Sequence, residues 1–297
     1  MRPRSPETYL HPMPFQFTGF ADEAEKSLEG QIATLKDTGW SAIELRLIGG
    51  KNVCDLTDAE WAHTRDQLAE EKIRIVGFGG QVANWARPIT NDFAVDLAEL
   101  RRVAPRMRET GTKFLRIMSY PNHKENPLPR AEWKAETVRR ISELARIAAD
   151  EGIILGHENC NGYGADPEGF LELVEAINNP AFKLIFDTGN NSLHDNSCES
   201  TWAYYKACRE HIAHVHVKCA KPGPDGVTYV TCHVDEDPTQ RRIFEDLVAT
   251  GYDGWLSIEP HIKAAIHAGQ DVDDSGEARQ VWIEFAHRLE KLIASIH

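Results

Sequence analysis

Residues 133–158 read WKAETVRRISELARIAADEGIILGHE. The first part carries the apolar stripe of an amphipathic helix, with Val138, Ile141, Leu144, Ala145 and Ala148 at three- and four-residue spacing. Gly152 then stops it, because glycine takes the left-handed conformation that ends helices at little cost. Beyond the glycine, a short apolar run of strand type finishes in His157 and Glu158, side chains able to bind a metal or move a proton. The order is therefore helix, glycine, short strand, reactive side chain.

That unit recurs in both directions along the chain. Candidate strands lie at 15–20, 41–46, 73–79, 112–118, 152–158, 182–187, 211–218 and 254–259, with helical patterns such as LEGQIATLKDTG, DAEWAHTRDQLAEE and PTQRRIFEDLVATG between them. Gly39, Gly111 and Gly251 punctuate other helix ends in the same way. Eight strands alternating with helices predict an α/β fold, a single closed (β/α)8 barrel of TIM type. A doubly wound open sheet would need a glycine-rich phosphate turn after its first strand, and GFADEAEKS (19–27) is not one. No linker or charge block divides the chain, so the expected organisation is an irregular lead-in over 1–14 and one catalytic barrel domain over 15–297.

Composition narrows the partners. The chain has 297 residues and a formal charge of −13, and no three basic residues stand in a row, which opposes a nucleic-acid partner. No stretch approaches the roughly 20 apolar residues of a membrane span, so no membrane partner is expected. The start, with four prolines in fourteen residues, lacks the apolar core of a secretory signal. The six cysteines contain no CxxC pair and read as reduced thiols of a cytoplasmic protein.

In a barrel of this type chemistry sits where strands end. The last four strands end at Glu158 (LGHENC), Asp187 (LIFDTGN), His216 (AHVHVK) and Glu259 (LSIEPH), so each delivers an Asp, Glu or His to one rim. Period-two alternation turns Val215, Val217, Leu256 and Ile258 outward, and His214, His216, Lys218, Ser257, Glu259 and His261 inward. His214 reads as a packed, hydrogen-bonded interior histidine, and His216, one pleat nearer the rim, as the ligand. Three carboxylates and an imidazole make a hard donor set suited to Mn²⁺ first, with Mg²⁺, Co²⁺ and Zn²⁺ as alternatives. Four protein ligands leave two positions for adjacent sugar oxygens, and Glu158 and Glu259 are placed to act as an acid–base pair on either side of the substrate.

The segments GFADEAEKSLEGQIATLKDTGWSAIELR, LRIMSY, HENCNGYG, FDTGN, HVHVK and YDGWLSIEPH, in this order from about Phe17 to the C-terminus, resemble the xylose isomerase-like TIM-barrel superfamily of sugar phosphate isomerases and epimerases, which also holds endonuclease-four-type AP endonucleases. The resemblance implies that Glu158, Asp187, His216 and Glu259 bind a divalent metal and that the two glutamates are catalytic. Relatives are often dimers or tetramers, which implies a homo-oligomer. The chain also departs from the pattern. The aspartate of the usual HxKD segment is replaced by Cys219, GFGGQVANW (77–85) stands where close relatives read SPIGK, and acidic HVDEDP (233–238) replaces a glycine-bearing loop. Asn190 stands where some epimerases carry a substrate-contacting histidine.

Arg116, Asn190, Lys218 and His261 are the candidate substrate-binding residues, and Trp85 is a further candidate for stacking on a sugar face. Glu44 and Arg46, which share one face of the second strand, read as a mutual ion pair. The expected activity is a metal-dependent isomerase or epimerase of a ketose-type sugar, through an enediolate. Three other readings share some of these residues. A dehydratase or lyase on a keto-sugar, keto-glycoside or keto-inositol starts with the same proton abstraction; an AP endonuclease would need more histidines and a basic groove; a silent sugar-binding barrel would predict a defective ligand set.

Overall fold

The structure, a computed structural model, describes residues 15–262 and 276–296. The expected lead-in at 1–14 lies outside the described residues. Eight parallel strands form one sheet: β1 (Gln16–Gly19), β2 (Ala42–Leu45), β5 (Arg74–Phe78), β6 (Phe114–Ser119), β7 (Ile154–Gly162), β8 (Phe182–Asp187), β9 (Ile212–Val217) and β12 (Trp255–Ile258). Their order is β1-β12-β9-β8-β7-β6-β5-β2, a nearly closed barrel in which β1 and β2 are the two ends. Among the described residues no hydrogen-bonded ladder joins β1 to β2.

Helices cover the outside: α1 (Leu28–Thr38), α2 (Asp58–Glu70), α3 (Ala94–Thr110), α4 (Arg130–Glu151), α5 (Pro167–Ile177), the short α6 (Asn190–Asp195), α7 (Cys198–Cys208), α8 (Gln240–Ala249) and α9 (Glu277–Ala294). Local chemistry sets their ends. Thr57 and Glu60 form a reciprocal capping box at the start of α2. Asp166 accepts from the Gly169 amide at 2.7 Å, with Pro167 in the first helical position of α5. The expected glycine stops are real, Gly39, Gly111 and Gly152 all having φ near +70°. Sequence-distant closure comes from α9, where buried Trp282 donates to the Phe20 carbonyl at 3.1 Å and packs edge-on against Trp40.

Every barrel strand falls inside an expected segment except two that run on. β6 reaches Ser119, and β7 continues to Gly162, so Glu158 lies within β7 and not at its end. The pairing slips after Ile117↔His157 and resumes at Ser119↔Gly162. Two short antiparallel pairs were not foreseen. β3 (Leu47–Ile48) pairs with β4 (Lys51–Asn52), and β10 (Ala220–Pro222) pairs with β11 (Tyr229–Thr231) in the loop after β9. Strands of two or three residues are too short to show an alternation.

Two details open space at the site. The register of β2 against β5 shifts between Ile43 and Glu44, with Val76 of β5 as the extra residue. The facing position on β5 is Gly77, where an added Cβ would lie 3.2 Å from Glu44 Oε1 and 3.3 Å from Phe114. A side chain there would crowd the Glu44 carboxylate.

Candidate metal centre

Glu158 from β7, Asp187 from the end of β8, His216 from β9 and Glu259 just past β12 converge at one end of the barrel. Each offers one ligand atom, and those atoms lie within 4.8 Å of one another. All four side chains are buried. Each also carries one buried atom without a hydrogen-bond partner: Glu158 Oε2, Asp187 Oδ2, His216 Nδ1 and Glu259 Oε2. Buried polar atoms are nearly always bonded, and leaving one unbonded costs about 1–3 kcal/mol. The four atoms are aimed into one small volume, three of them within 3.1–3.3 Å of a Lys218 or Arg116 nitrogen, so the point already attracts positive charge. Three carboxylates with an imidazole are the right chemistry for a divalent cation.

Neighbouring groups fix each donor. The Asp187 carboxylate spends Oδ1 on the amides of Gly189 (2.8 Å) and Asn190 (2.7 Å), which leaves Oδ2 directed inward. Asn190 donates to Glu158 Oε1 at 3.2 Å, and its own Oδ1 accepts from Lys218 Nζ at 3.0 Å. Lys218 Nζ stands 3.3 Å from Asp187 Oδ2 and 3.1 Å from Glu259 Oε2. Arg116 Nη1 lies 3.3 Å from Glu158 Oε2 and 3.8 Å from Glu259 Oε1. His261 Nε2 lies 3.1 Å from Glu23 Oε1 and 3.2 Å from Glu259 Oε1. All eight expected site residues are thus gathered around one point. Trp85 is exposed on the loop after β5.

The expected Glu44–Arg46 pair does not form. Arg46 donates instead to Asp22 Oδ2 (2.8 Å), Glu23 Oε1 (3.1 Å) and Glu259 Oε1 (2.6 Å), with its guanidinium 4.5 Å above the Phe20 ring. Glu44 faces the interior histidines, with Oε2 2.9 Å from His214 Nε2 and Oε1 3.2 Å from His216 Nε2. His214 is buried and hydrogen-bonded, as its alternation suggested. Asp22 and Glu23 were not singled out from the sequence. Their place immediately after β1, on the rim that holds the other site residues, was the available signal.

The electrostatics follow from burial and these partners. Burial alone would push Glu158 up, but the Arg116 guanidinium and the His216 imidazole hold its carboxyl down, to about 2. Glu259 is likewise held well below the usual carboxylate range, by Lys218, His261 and Arg46 against the opposing effect of burial. Asp187 is pushed up by burial, which Lys218 only partly offsets. The carboxylates of Glu44 and Glu158 outweigh burial at His216 and lift it to about 10.

Two other groups of donors are close enough to consider, Glu44–His214–His216 and Glu23–Glu259–His261. Both Glu44 oxygens are already hydrogen-bonded, and Arg46 already holds the Oε1 atoms of Glu23 and Glu259. The four-residue set is the one in which every residue keeps an unbonded donor atom.

Residues 32–294 match the family described as xylose isomerase-like TIM barrel, and the chain belongs to that family. Among solved structures, a xylose isomerase-like TIM barrel protein from Mycobacterium smegmatis, in complex with magnesium, superposes with a TM-score of 0.70 at 15% identity, covering 96% of this chain and 98% of that one. A D-allulose 3-epimerase from Methylomonas sp., in complex with D-allulose, gives 0.68 at 19% identity over 96% and 98%. Among curated proteins, an inosose dehydratase of Yersinia enterocolitica (serotype O:8 / biotype 1B) is 28% identical over 149 residues, 46% of this chain and half the length of that relative. Among the described residues no helix is long and apolar enough to cross a membrane.

Proposed function

We propose that the protein is a divalent-metal-dependent isomerase or epimerase of a ketose-type sugar or sugar derivative. The observation that carries this reading is the set of four open donor atoms on Glu158, Asp187, His216 and Glu259. A bound divalent ion supplies a Lewis acid that stabilises negative charge on a substrate oxygen beside the carbon losing its proton. Glu158 and Glu259 are the acid–base pair: both are ionised, and they approach from different strands. Arg116, Asn190, Lys218 and His261 orient the substrate, their polar atoms being at hand around the same point. Burial of the rim excludes water and strengthens each of these interactions. The metal we favour is Mn²⁺, the location the cytoplasm, and the assembly a homo-oligomer acting on a free small molecule and not on nucleic acid.

A second reading, a dehydratase on a keto-sugar or keto-inositol, is favoured by the partial match to an inosose dehydratase. Both reactions begin with removal of a proton next to a carbonyl, and they part at what leaves next. The test is proton exchange in D₂O: Mn²⁺-loaded protein with a panel of ketoses, keto-sugars and inososes, followed by NMR. Enzyme-dependent loss of the C–H signal beside the carbonyl, abolished by EDTA, is expected. An isomer as product supports the first reading and a dehydrated product the second. No exchange across the panel, with metal bound, would overturn both.

A further inference from the structure

We infer that Glu44 is a positioning residue that sets the tautomer of His216, so that this histidine meets a metal through Nδ1. The inference rests on His216 being a ligand and goes on to say which of its nitrogens binds and what selects it. Glu44 comes from β2, on a part of the barrel that contributes nothing to the four-residue set. Its side chain is fully buried, as are those of His214 and His216. The two imidazoles are two residues apart on one face of β9, and the Glu44 carboxylate takes one from each oxygen: Oε2 from His214 Nε2 at 2.9 Å and Oε1 from His216 Nε2 at 3.2 Å.

A carboxylate can only accept, so each Nε2 must carry the proton. In a neutral imidazole Nδ1 is then the lone-pair nitrogen. At His216 that atom has no hydrogen-bond partner and faces Glu158 Oε1 at 3.6 Å and Glu259 Oε2 at 3.9 Å, where the other open donors are. Phe20 packs edge-on against the His216 ring at 5.2 Å, which keeps the plane in place. His214 plays the supporting part. Stacked on Phe114 at 5.1 Å and bonded to the second Glu44 oxygen, it stops the carboxylate from rotating away. Gly77, which the register shift places opposite Glu44, leaves room for the carboxylate at this position. Metal-bound histidines generally need such a partner on the distal nitrogen, and its loss weakens metal binding by about 10–100-fold.

The test is Mg²⁺ and Mn²⁺ affinity by calorimetry for the wild type, Glu44→Gln, Glu44→Met and His216→Ala, with thermal stability of each, and ¹⁵N NMR of histidine-labelled, Mg²⁺-loaded wild type. We expect the Glu44→Met dissociation constant to rise by about 10–100-fold, Glu44→Gln to fall between it and the wild type, and the NMR pattern of His216 to show Nε2 protonated and Nδ1 not. A purely structural Glu44 would lower thermal stability in both variants while their metal affinity stayed within twofold of wild type, and that result overturns the inference. So does a wild-type His216 protonated on Nδ1, a measurement that stands even if the variants fail to fold. If His216→Ala itself binds metal like wild type, the ligand assignment fails. Weak binding in His216→Ala with normal binding in both Glu44 variants overturns only the role of Glu44.

Discussion

Replacing Arg46 by methionine isolates the charge cluster at the rim. Arg46 is buried, its three carboxylate partners are within 3.1 Å and all are themselves buried. Methionine keeps much of the apolar stem and removes the guanidinium, so packing is largely conserved while Asp22, Glu23 and Glu259 lose their shared counter-charge. Removing one partner of a buried ion pair costs about 3–5 kcal/mol, because the remaining charge is left without water or a mate. Loss of the guanidinium from the Phe20 face adds about 0.5–2 kcal/mol. The expected destabilisation is about 3.5–7 kcal/mol, or roughly 7–28 °C in Tm for a chain of this size. Urea unfolding at neutral pH, paired with calorimetry, measures it. Arg46→Lys should fall between, since one ammonium cannot satisfy three carboxylates at once. Adding Glu23→Gln to Arg46→Met should restore stability, the two changes being coupled through the same contact. A loss under about 1 kcal/mol for Arg46→Met, or simple additivity in the double variant, would refute the reasoning.

Other outcomes rest on the same geometry. Mn²⁺ or Mg²⁺ at a hundredfold excess over its dissociation constant should add about 2.7 kcal/mol, or roughly 5–10 °C in a melting scan; Asp187→Asn should shrink this shift, and a wild-type melt indifferent to both metals would count against the centre. Glu158→Gln and Glu259→Gln should each cut substrate proton exchange by about 10²–10⁴-fold with the circular dichroism spectrum unchanged, whereas full activity in both would remove them as the acid–base pair. Gly189→Ala should disturb Lys218, because the added Cβ would meet the Lys218 carbonyl at 2.6 Å and its side chain at 2.9 Å; a wild-type KM would show that the strand gives way freely. Glu136 is held at about 2 by hydrogen bonds from Arg139 and Arg140, against a smaller opposing effect of burial. Its folded-state value lies below the unfolded one, so its contribution is present above pH 4.5 and fades as pH falls toward 2. Glu136→Gln should therefore lose no more than about 1 kcal/mol at pH 7, allowing for solvent screening, and the gap to wild type should close in acid. A gap that persists at pH 2 would mean that packing, not charge, carries the effect.

The line between legible and illegible features runs along contact distance. Asp187 and Glu259 were legible because an apolar run with period two says both where a strand stops and which way its last side chains point. His214 and His216 came from the same alternation. The partner of Arg46 was not legible. Glu259 is 213 residues away, and nothing local to IELR distinguishes a bond across the barrel from one to Glu44 two residues earlier. The bond from His214 to Glu44 spans 170 residues, and nothing local to either strand marks it. The hairpin after β9 escaped notice for a different reason, its strands being only three residues each.

The missing ladder between β1 and β2 has a mechanical consequence. Elsewhere around the ring, neighbouring strands are stitched by backbone hydrogen bonds, which shear together and fail together. At this one joint the connection is made by side chains: Arg46, leaving β2, grips Asp22 and Glu23 beyond β1 and Glu259 beyond β12. Along its length β1 lies against β2 without a ladder, Phe17 stacking on Trp40 just before β2. Amide hydrogens of β1 and β2 that face this gap should exchange ahead of those in β7 and β8. The barrel would then breathe by parting along one predetermined line, and the clasp on that line is fastened to Glu259, a side chain of the metal centre.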